Sequence, residues 1–473
     1  MLGVGVLGGG ASGAAAQDPG GDTVTGRWQG VMDAGPQGEI TMIFEVSRDE
    51  SGALASTLDV PTQGAAGIPT GETTFAHDTL TITVPAIQGR YQGVLSEDGS
   101  VVGTWSQGPA TLPLTLTREG EVRRPERPQE PEPPFPYEVE EVAYENPSAG
   151  ITLAGTFTRP RGGGPYPAVL MITGSGPQDR DETVMGHRPF LVIADHLTRN
   201  GVAVLRVDDR GVGGSGGDFA TSTSRDFASD VRAGVTWLSG RSDVGSVGLV
   251  GHSEGGLIAP MVAAEDDRVA FIVLLSGPGV PGSEILSEQI GRIQGVAGVP
   301  APVTRWNQEL IAAVAARVGR VPASERFDSV RAVLASAVEK LTPEEREAAE
   351  IPADGVEAFV EGQARSLASP WMAFFLTHDP RSDLRRVTVP VLALGGSLDL
   401  QVPPEQSLPE IERAVREGGN QNVTVRELPG LNHLFQHART GSPAEYASLT
   451  ETFAPEALDI LLEWILEVAG PRS

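Results

Sequence analysis

A serine inside a glycine-rich turn is the first residue of this sequence that could perform covalent chemistry. Ser253 lies in the run GLVGHSEGG and follows the apolar, strand-like segment VGLVG. The residues after it, GLIAPMVAAE, are rich in small residues and indicate a helix. A sharp turn between a strand and a helix exposes a serine hydroxyl and directs helix N–H groups at an oxyanion. We therefore predict that Ser253 is a nucleophile and that the backbone N–H of Glu254 is one oxyanion donor.

A serine hydroxyl needs a base that removes its proton, and the base needs an acid that orients it. Three of the seven histidines follow Ser253 in the chain: His378, His433 and His437. In the order nucleophile, acid, base, the acid lies in a loop after a late strand. Asp399 fits this requirement because it comes just after the strand-like segment 387–394. Since the acid must precede the base, Asp399 excludes His378.

The preferred base is His433. It lies in a loop after the strand-like segment 423–428, and 34 positions separate it from Asp399, which is room for one crossover helix and one strand. His437 comes four residues later, within the following segment. Asp383 is the runner-up acid, but it precedes its strand and would face the other end of the sheet. His252 is expected to point away from the Ser253 hydroxyl. The predicted catalytic set is thus Ser253, Asp399 and His433.

The second oxyanion donor should lie in the loop after an early strand. The segment PAVLMITGSGPQDRDE supplies such a loop, and the backbone N–H of Ser175 or Gly176 could point at the nucleophile. Gln178 and the charged residues 179–181 would either bind a polar substrate or pair with each other. After the next strand, residues 208–210 (DDR) would either line the site or brace the adjacent glycine-rich loop through an Asp–Arg pair.

Aromatic residues precede the strand that carries the acid. The stretch SPWMAFFLTHDP contains Trp371, Phe374 and Phe375. Such residues can form an acyl or alcohol pocket. Packing between the inserted helices and the sheet explains them equally well, so both interpretations stay open.

The elements that must position these residues follow a strand–helix alternation. Continuous apolar runs such as PAVLMITG, VAFIVLLSG and VPVLALGG predict buried parallel strands, and helix-length segments lie between them. The alternation stops over 281–385, where helical periodicity predicts an inserted lid. The expected fold class is therefore α/β, a doubly wound, mostly parallel sheet with a helical lid, over residues 142–470.

The chain before this domain has a different pattern. Residues 21–118 alternate apolar and polar residues in short runs, which predicts a small antiparallel β-domain with Trp28, Tyr91 and Trp105 mainly in its core. The Pro- and Glu-rich segment 119–141 predicts an extended linker. Residues 1–20 lead through an apolar stretch to three alanines, which indicates an export signal, and hence an extracytoplasmic protein, or else a disordered tail.

Charge and composition exclude several classes of function. The net charge of −27 argues against binding to nucleic acid. No further stretch is long and apolar enough to predict a membrane span. The absence of cysteine excludes disulfides and thiolate ligands. No phosphate-binding loop, dinucleotide fingerprint or HExxH motif occurs, so we expect no cofactor and no metal.

Five segments carry a family resemblance. They are ITGSGPQDRDE (172–182), RPFLVIADHLTRNGVAVLRVDDRGVGGS (188–215), GLVGHSEGGLIAPM (248–261), GGSLDLQVP (395–403) and LPGLNHLFQ (428–436). Together they resemble the α/β-hydrolase superfamily, and more narrowly its bacterial serine aminopeptidase-like and dienelactone hydrolase-like esterases. The resemblance covers residues 137–469, and it implies the same catalytic set inside an α/β sheet with a helical lid. The amino-terminal β-domain is also similar to one that precedes such enzymes in some bacteria.

The expected activity is hydrolysis of a small ester or short acyl substrate through an acyl-enzyme intermediate. A serine aminopeptidase or a thioesterase would use the same residues. A non-catalytic binding protein with a vestigial hydrolase fold is the alternative from another class. The β-domain could bind a partner, or the chain could form a homo-oligomer, and both alternatives stay open.

Overall fold

The computed structural model describes residues 24–469, apart from residues 34–38, 50, 64, 88, 97, 98, 108, 109, 119–126, 350, 353 and 354. The predicted leader or tail at 1–20 and the first part of the predicted linker, 119–126, lie outside the described residues. The chain divides into two compact units. The first consists mainly of the residues before 127, and the second covers 127–183, 187–445 and 449–469.

The described part of the first unit is a sheet of nine antiparallel strands. Their bounds are β1 Gly26–Asp33, β2 Glu39–Arg48, β3 Leu54–Val60, β4 Ala65–Pro69, β5 Thr73–Ala76, β6 Thr79–Val84, β7 Gly89–Leu95, β8 Val101–Gln107 and β9 Ala110–Arg118. The sheet order is β4-β3-β2-β1-β9-β8-β7-β6-β5, so neighbours in space are mostly neighbours in sequence. Trp28, Tyr91 and Trp105 are buried in its core, which confirms the predicted packing role.

The second unit contains an eight-stranded mixed sheet. Its strands are β10 Glu138–Asn146, β11 Ile151–Arg159, β12 Tyr166–Ile172, β13 Ala203–Val207, β14 Val244–His252, β15 Val269–Leu275, β16 Val391–Gly396 and β17 Val423–Leu428. The order is β10-β11-β13-β12-β14-β15-β16-β17. The pairs of β11 with β10 and with β13 are antiparallel, and all later pairs are parallel.

Helices cover this sheet and form an insertion. In chain order they are α1 Pro189–Arg199, α2 Ser224–Ser239, α3 Glu254–Ala263, α4 Gly282–Val296, α5 Ala301–Val318, α6 Ala323–Glu339, α7 Pro343–Ala348, α8 Val356–Leu367, α9 Pro370–Thr377, α10 Arg381–Leu384, α11 Pro404–Glu417 and α12 Pro455–Ala469. Helices α4 to α10 lie between β15 and β16 in the chain, and we call them the lid helices. No helix of the described residues combines the length and the apolar character that crossing a bilayer requires.

Burial explains why the apolar runs form a parallel sheet. All six residues of β16 are buried, as are the last six of β14, because helices cover both faces of the sheet. One core cluster lies between the sheet and helices α2, α3 and α11, and another lies between the sheet and helices α1 and α12. Most of the lid helices pack around a separate cluster of their own. This architecture confirms the predicted α/β fold with a preceding β-domain.

Candidate active site

Ser253 stands at the junction of β14 and α3 in a backbone conformation that an L residue adopts only under constraint. Its φ is 51° and its ψ is −116°. Its N–H donates a hydrogen bond to the carbonyl oxygen of Leu275 in β15, at 2.8 Å. A non-glycine residue in such a region costs about 1–3 kcal/mol, so the surrounding packing must impose it. This is the strand–turn–helix geometry that a nucleophilic serine requires.

The two glycines around Ser253 are required by close backbone contacts. A Cβ atom on Gly251 would lie 2.1 Å from the carbonyl oxygen of Gly255. A Cβ atom on Gly255 would lie 2.1 Å from the carbonyl oxygen of Ile172, at the end of β12. Neither contact can be relieved by turning a side chain, because both partners are backbone. The turn can therefore approach the neighbouring strand only with glycine at these positions.

Asp399 and His433 form a buried acid–base pair. Nδ1 of His433 lies 2.8 Å from Oδ2 of Asp399, and the two residues are 4 % and 1 % exposed. Oδ1 of Asp399 accepts the backbone N–H groups of Gln401 and Val402, both at 2.8 Å. Burial alone would raise the pKa of Asp399, but His433 and these hydrogen bonds hold it below its ordinary value. The acid is thus kept ionised and orients the imidazole.

His252 connects the nucleophile to this pair. Its Nε2 lies 2.9 Å from the carbonyl oxygen of His433, and the two ring centroids are 4.8 Å apart. Its Nδ1 lies 2.9 Å from Oε1 of Glu182, a buried carboxylate in the loop after β12. Both ring nitrogens of His252 are therefore engaged away from Ser253, as the sequence predicts.

The loop that follows β12, residues 173–178, lies against the nucleophile; we call it the oxyanion loop. A Cβ atom on Gly174 would lie 3.3 Å from Cβ of Ser253, which shows how close the backbone comes. The N–H of Gly174 donates to Oε1 of Glu182 at 2.6 Å, so it is not available to an oxyanion. The predicted donors Ser175 and Gly176 follow directly, and Gly176 has a φ of 101°.

Asp209 holds both ends of the oxyanion loop. Its Oδ1 accepts the hydroxyl of Thr173 at 2.7 Å, and its Oδ2 accepts the N–H of Gln178 at 3.0 Å. The N–H of Asp209 in turn donates to the carbonyl oxygen of Gln178 at 3.1 Å. Burial raises the pKa of Asp209 to about 7, although these hydrogen bonds oppose the shift. The carboxylate therefore fixes the loop that carries the predicted second donor.

The side chain of Glu254 is buried rather than directed into solvent. Its Oε1 accepts the Ser224 hydroxyl at 2.6 Å and the indole N–H of Trp371 at 2.8 Å. Burial raises the pKa of this carboxyl, and hydrogen bonds from Ser224, Trp371 and Ser175 counteract the shift. As the first residue of α3, Glu254 has a backbone N–H without an intrahelical acceptor. It meets the requirement for the predicted first oxyanion donor.

The other predicted pocket residues are connected to the site around Ser253 less directly. Trp371 reaches the site through Glu254 and stacks on Phe375 with ring centroids 5.3 Å apart. Phe375 is buried in the core beneath the lid helices. Phe374 stacks on His378 with ring centroids 4.8 Å apart. The Gln178 side chain donates to the carbonyl oxygen of Ser175 at 3.4 Å. Phe374 and Phe375 thus have packing partners of their own.

The charged loop segments form their ion pairs with residues outside their own runs. Asp208 braces the glycine-rich loop by accepting the N–H of Gly214 at 3.0 Å, but its ionic partner is Arg180 rather than Arg210. Arg210 pairs with Asp230 on α2 at 2.7 Å. Within QDRDE, the backbone N–H of Asp181 donates to Oδ1 of Asp179 at 3.1 Å, whereas Arg180 pairs with Asp208 and Glu141 outside the run. The sheet and α2 place charged side chains that are distant in sequence beside the loop residues, and the loop residues form their ion pairs with those side chains.

The rejected alternatives have other partners in the structure. His378 lies 2.9 Å from Asp383, so the excluded base is paired with the runner-up acid. His437 is exposed and lies 3.0 Å from Glu451. Neither arrangement includes Ser253 or Asp399.

Sequence reasoning missed the positioning roles of two carboxylates, Glu182 and Asp209. Glu182 ends the run QDRDE and has a φ of 53°, which is unusual for a glutamate. No spacing rule predicts that it turns back to Gly174 and His252. The signal in the sequence was the concentration of charge directly after a glycine-rich strand exit.

Comparisons with known proteins find relatives and similar solved structures. A search of curated proteins finds a relative named Esterase EstD from Thermotoga maritima, 27 % identical over 351 residues, which are 72 % of this chain and 73 % of the relative. An uncharacterized protein of Mycobacterium tuberculosis is 30 % identical over 167 residues, which are 33 % of this chain and 56 % of that protein. Among solved structures, Est1E from Butyrivibrio proteoclasticus with ferulic acid bound is 20 % identical, with a TM-score of 0.41, covering 70 % of this chain and all of that one (100 %).

A family profile gives the assignment. The profile of the X-Pro dipeptidyl-peptidase (S15) family matches residues 149–421, a span that includes Ser253 and Asp399. The match begins near β11 and ends just before β17, so it covers most of the sheet, the turn of Ser253 and the lid helices. Because it spans more than half of the chain, the protein belongs to the X-Pro dipeptidyl-peptidase (S15) family of α/β hydrolases.

Proposed function

We propose that the protein is a serine hydrolase that cleaves carboxylic esters, with Ser253 as nucleophile, His433 as base and Asp399 as the orienting acid. The single observation that carries the proposal is the buried His433–Asp399 hydrogen bond of 2.8 Å in the loops beside the strained turn of Ser253. The three residues occur in the order and on the strand ends that acyl transfer requires.

In the proposed reaction, His433 removes the hydroxyl proton of Ser253 while the serine oxygen attacks the ester carbonyl. Backbone N–H groups of Glu254 and of Ser175 or Gly176 stabilise the oxyanion. The intermediate collapses, the carbon–oxygen bond to the alcohol breaks, and His433 returns its proton to that alcohol. Water then attacks the acyl-enzyme with His433 again as base, which releases the carboxylic acid and restores Ser253.

Two observations from related proteins bear on the substrate. The relationship to Esterase EstD, over about three quarters of both chains, favours an ester. Membership of the S15 family favours a second candidate, hydrolysis of peptides after an amino-terminal dipeptide. Peptide bonds have a poorer leaving group than esters, so the same triad can hydrolyse an ester even where the natural substrate is a peptide. Thioesters are a third acyl class open to this site.

The test compares wild-type protein with Ser253→Ala on three substrate sets. We expect wild type to react covalently with a fluorophosphonate probe and to hydrolyse p-nitrophenyl acetate and butyrate, and Ser253→Ala to do neither. Dipeptidyl X-Pro anilides and acyl thioesters complete the panel. Cleavage of the anilides with no ester turnover would establish the peptidase instead, and absence of probe labelling in folded wild type would refute both.

We also propose that the protein works outside the cytoplasm. The support is the apolar run in residues 1–20 that ends in three alanines before Gln17. Expression in a bacterial host with a carboxyl-terminal tag tests this. We expect a processed protein in the periplasmic fraction, and an unprocessed cytoplasmic product would contradict the proposal.

A further inference from the structure

The residue before the nucleophile belongs to a second, buried histidine–carboxylate pair. Nδ1 of His252 and Oε1 of Glu182 are 2.9 Å apart, and the residues are 6 % and 3 % exposed. Glu182 adopts its position with a φ of 53°, a conformation that costs energy outside glycine. Both side chains line a small cavity whose other walls are apolar side chains of Pro189, Phe190, Ile193, Leu275, Leu434 and Phe453. A charged pair in such surroundings needs a reason.

The hydrogen-bond partners of His252 favour one protonation state of its ring. Its Nδ1 faces a carboxylate oxygen that already accepts the N–H of Gly174, and its Nε2 faces the carbonyl oxygen of His433. A neutral imidazole carries hydrogen on one nitrogen and can satisfy one of these acceptors. Both acceptors are satisfied when His252 is an imidazolium. Burial opposes that charge, but Glu182 and the two hydrogen bonds raise the pKa of His252 above its ordinary value.

The pair contacts two segments on which the proposed mechanism depends, the oxyanion loop and the loop that carries His433. Through Glu182 it holds the N–H of Gly174 at 2.6 Å, at the start of the oxyanion loop. Through His252 it holds the backbone of His433 at 2.9 Å. We propose that Glu182 and His252 form a permanently charged positioning pair that fixes the oxyanion loop and the His433 loop relative to Ser253. This inference rests on the proposed hydrolase function.

A fixed charge beside the base has a consequence for pH dependence. The charged and titratable groups around His252 are Glu182 after β12, Asp399 after β16 and the His433 ring, whose centroid is 4.8 Å away. Asp209 lies near enough to Glu182 for the two carboxylates to interact. A positive charge on His252 disfavours a second positive charge on His433. Loss of the His252 charge should therefore move the acidic limb of the activity profile to higher pH.

The first experiment reads the charge directly, without activity. Wild-type protein labelled with ¹⁵N in histidine is followed by two-dimensional NMR from pH 6 to pH 9, and the His252 signals are those absent from His252→Gln. We expect both nitrogens of His252 to be protonated in wild type at pH 7, and Glu182→Gln to lose this state about one pH unit or more earlier in the titration than wild type. A neutral His252 ring at pH 7 in wild type overturns the proposal.

The second experiment separates positioning from general stability. His252→Gln and Glu182→Gln are compared with His196→Gln, a matched control on α1 whose histidine lies 3.5 Å from Asp459 at the surface. With p-nitrophenyl acetate we expect kcat to fall about 100-fold in the two site variants, KM to stay within a few-fold, and the control to match wild type. In His252→Gln the acidic limb should also move up by about one pH unit.

The outcomes distinguish this inference from the proposed function. If wild type hydrolyses none of the substrates, the proposed function fails, and the NMR result still decides whether the pair is charged. If both site variants keep wild-type kcat and an unmoved acidic limb while folded, the positioning role is refuted. If His252→Gln does not fold, as judged by its melting curve, Glu182→Gln and the histidine spectrum of wild type carry the test.

Discussion

Oδ2 of Asp399 accepts Nδ1–H of His433 at 2.8 Å, and the same carboxyl accepts two backbone N–H groups through Oδ1. Three donors thus converge on one buried carboxylate. This arrangement leaves the carboxylate little rotational freedom, so the imidazole is presented in one tautomer with Nε2 free to take a proton.

Asp399→Asn should leave the protein folded and lower kcat for esters by about four orders of magnitude, because the amide favours the wrong tautomer of His433. Steady-state kinetics measure the loss. The matched control is Asp383→Asn, which alters the carboxylate beside His378 and should keep kcat within a few-fold of wild type. Equal losses in both variants would show that the acid is wrongly assigned.

Gly251→Ala should destabilise the protein through the backbone contact of 2.1 Å that its Cβ atom would make. Overpacking of this kind costs about 1–3 kcal/mol in the free energy of unfolding, and it should also distort the turn of Ser253 and lower kcat. Melting curves and ester kinetics test both effects. Gly362→Ala is the control, because a Cβ atom there meets no neighbour and alanine favours helix α8. A Gly251→Ala protein as stable as Gly362→Ala would contradict the packing argument.

Asp209 should make stability fall as the pH rises. Its pKa is about 7 in the folded protein and near 3.8 when exposed, so between these values the folded state holds a proton that the unfolded state has released. Raising the pH through this window therefore favours unfolding, and the effect is complete above pH 7. Asp209→Asn cannot ionise, so its melting temperature relative to wild type should rise by several degrees from pH 5 to pH 8.

The control for this pH dependence is Asp208→Asn, a substitution at the adjacent residue. Burial raises the pKa of Asp208, but Arg180 and the backbone N–H groups of Gly214 and Arg180 hold it below its ordinary value, so it stays ionised in both states above pH 5. The difference in melting temperature between Asp208→Asn and wild type should then be constant from pH 5 to pH 8. A parallel trend in both variants would assign the pH dependence to general charge repulsion.

Trp371→Phe should weaken activity more than stability. It removes one of the hydrogen bonds to buried Glu254, the indole N–H at 2.8 Å, while the Ser224 hydroxyl still donates to the same oxygen, so the loss in stability should be about 1 kcal/mol. Because the proposed mechanism uses the backbone N–H of Glu254 as an oxyanion donor, we expect kcat/KM to fall about tenfold. Trp306→Phe, which loses a bond of 2.9 Å to the carbonyl oxygen of Ala337 within the lid helices, is the matched control. Similar kcat/KM values for the two variants would refute this role of Trp371.

Local pattern and chain order predicted the parts of the site that lie on strand ends. Ser253, Asp399 and His433 each follow a parallel strand, namely the buried β14 and β16 and the edge strand β17, and parallel strands bring their carboxyl ends to one edge, so sequence position translates into spatial position. The fold class was predictable for the same reason, since strands buried on both faces read as continuous apolar runs.

Contacts within irregular loops were not predictable in this way. Arg180 and Asp208 are 28 residues apart, and Glu182 and His252 are 70 apart; both pairs form because the segment after β12 meets the carboxyl ends of β13 and β14. A loop has no period that specifies which side chain faces a neighbour. Charge pairing of this kind therefore follows from the tertiary structure, and local sequence did not specify that Arg180 pairs with Asp208 or that Arg210 pairs with Asp230.

The attachment of the oxyanion loop to Asp209 bears on the activation entropy of the proposed reaction. Thr173 and Gln178 bind one carboxylate, so the segment between them is closed into a short ring of covalent and hydrogen bonds. The orientations of its amide dipoles are then set when the chain folds, before a substrate arrives. Reaching the transition state should need little additional ordering of the protein, and the barrier should be mainly enthalpic.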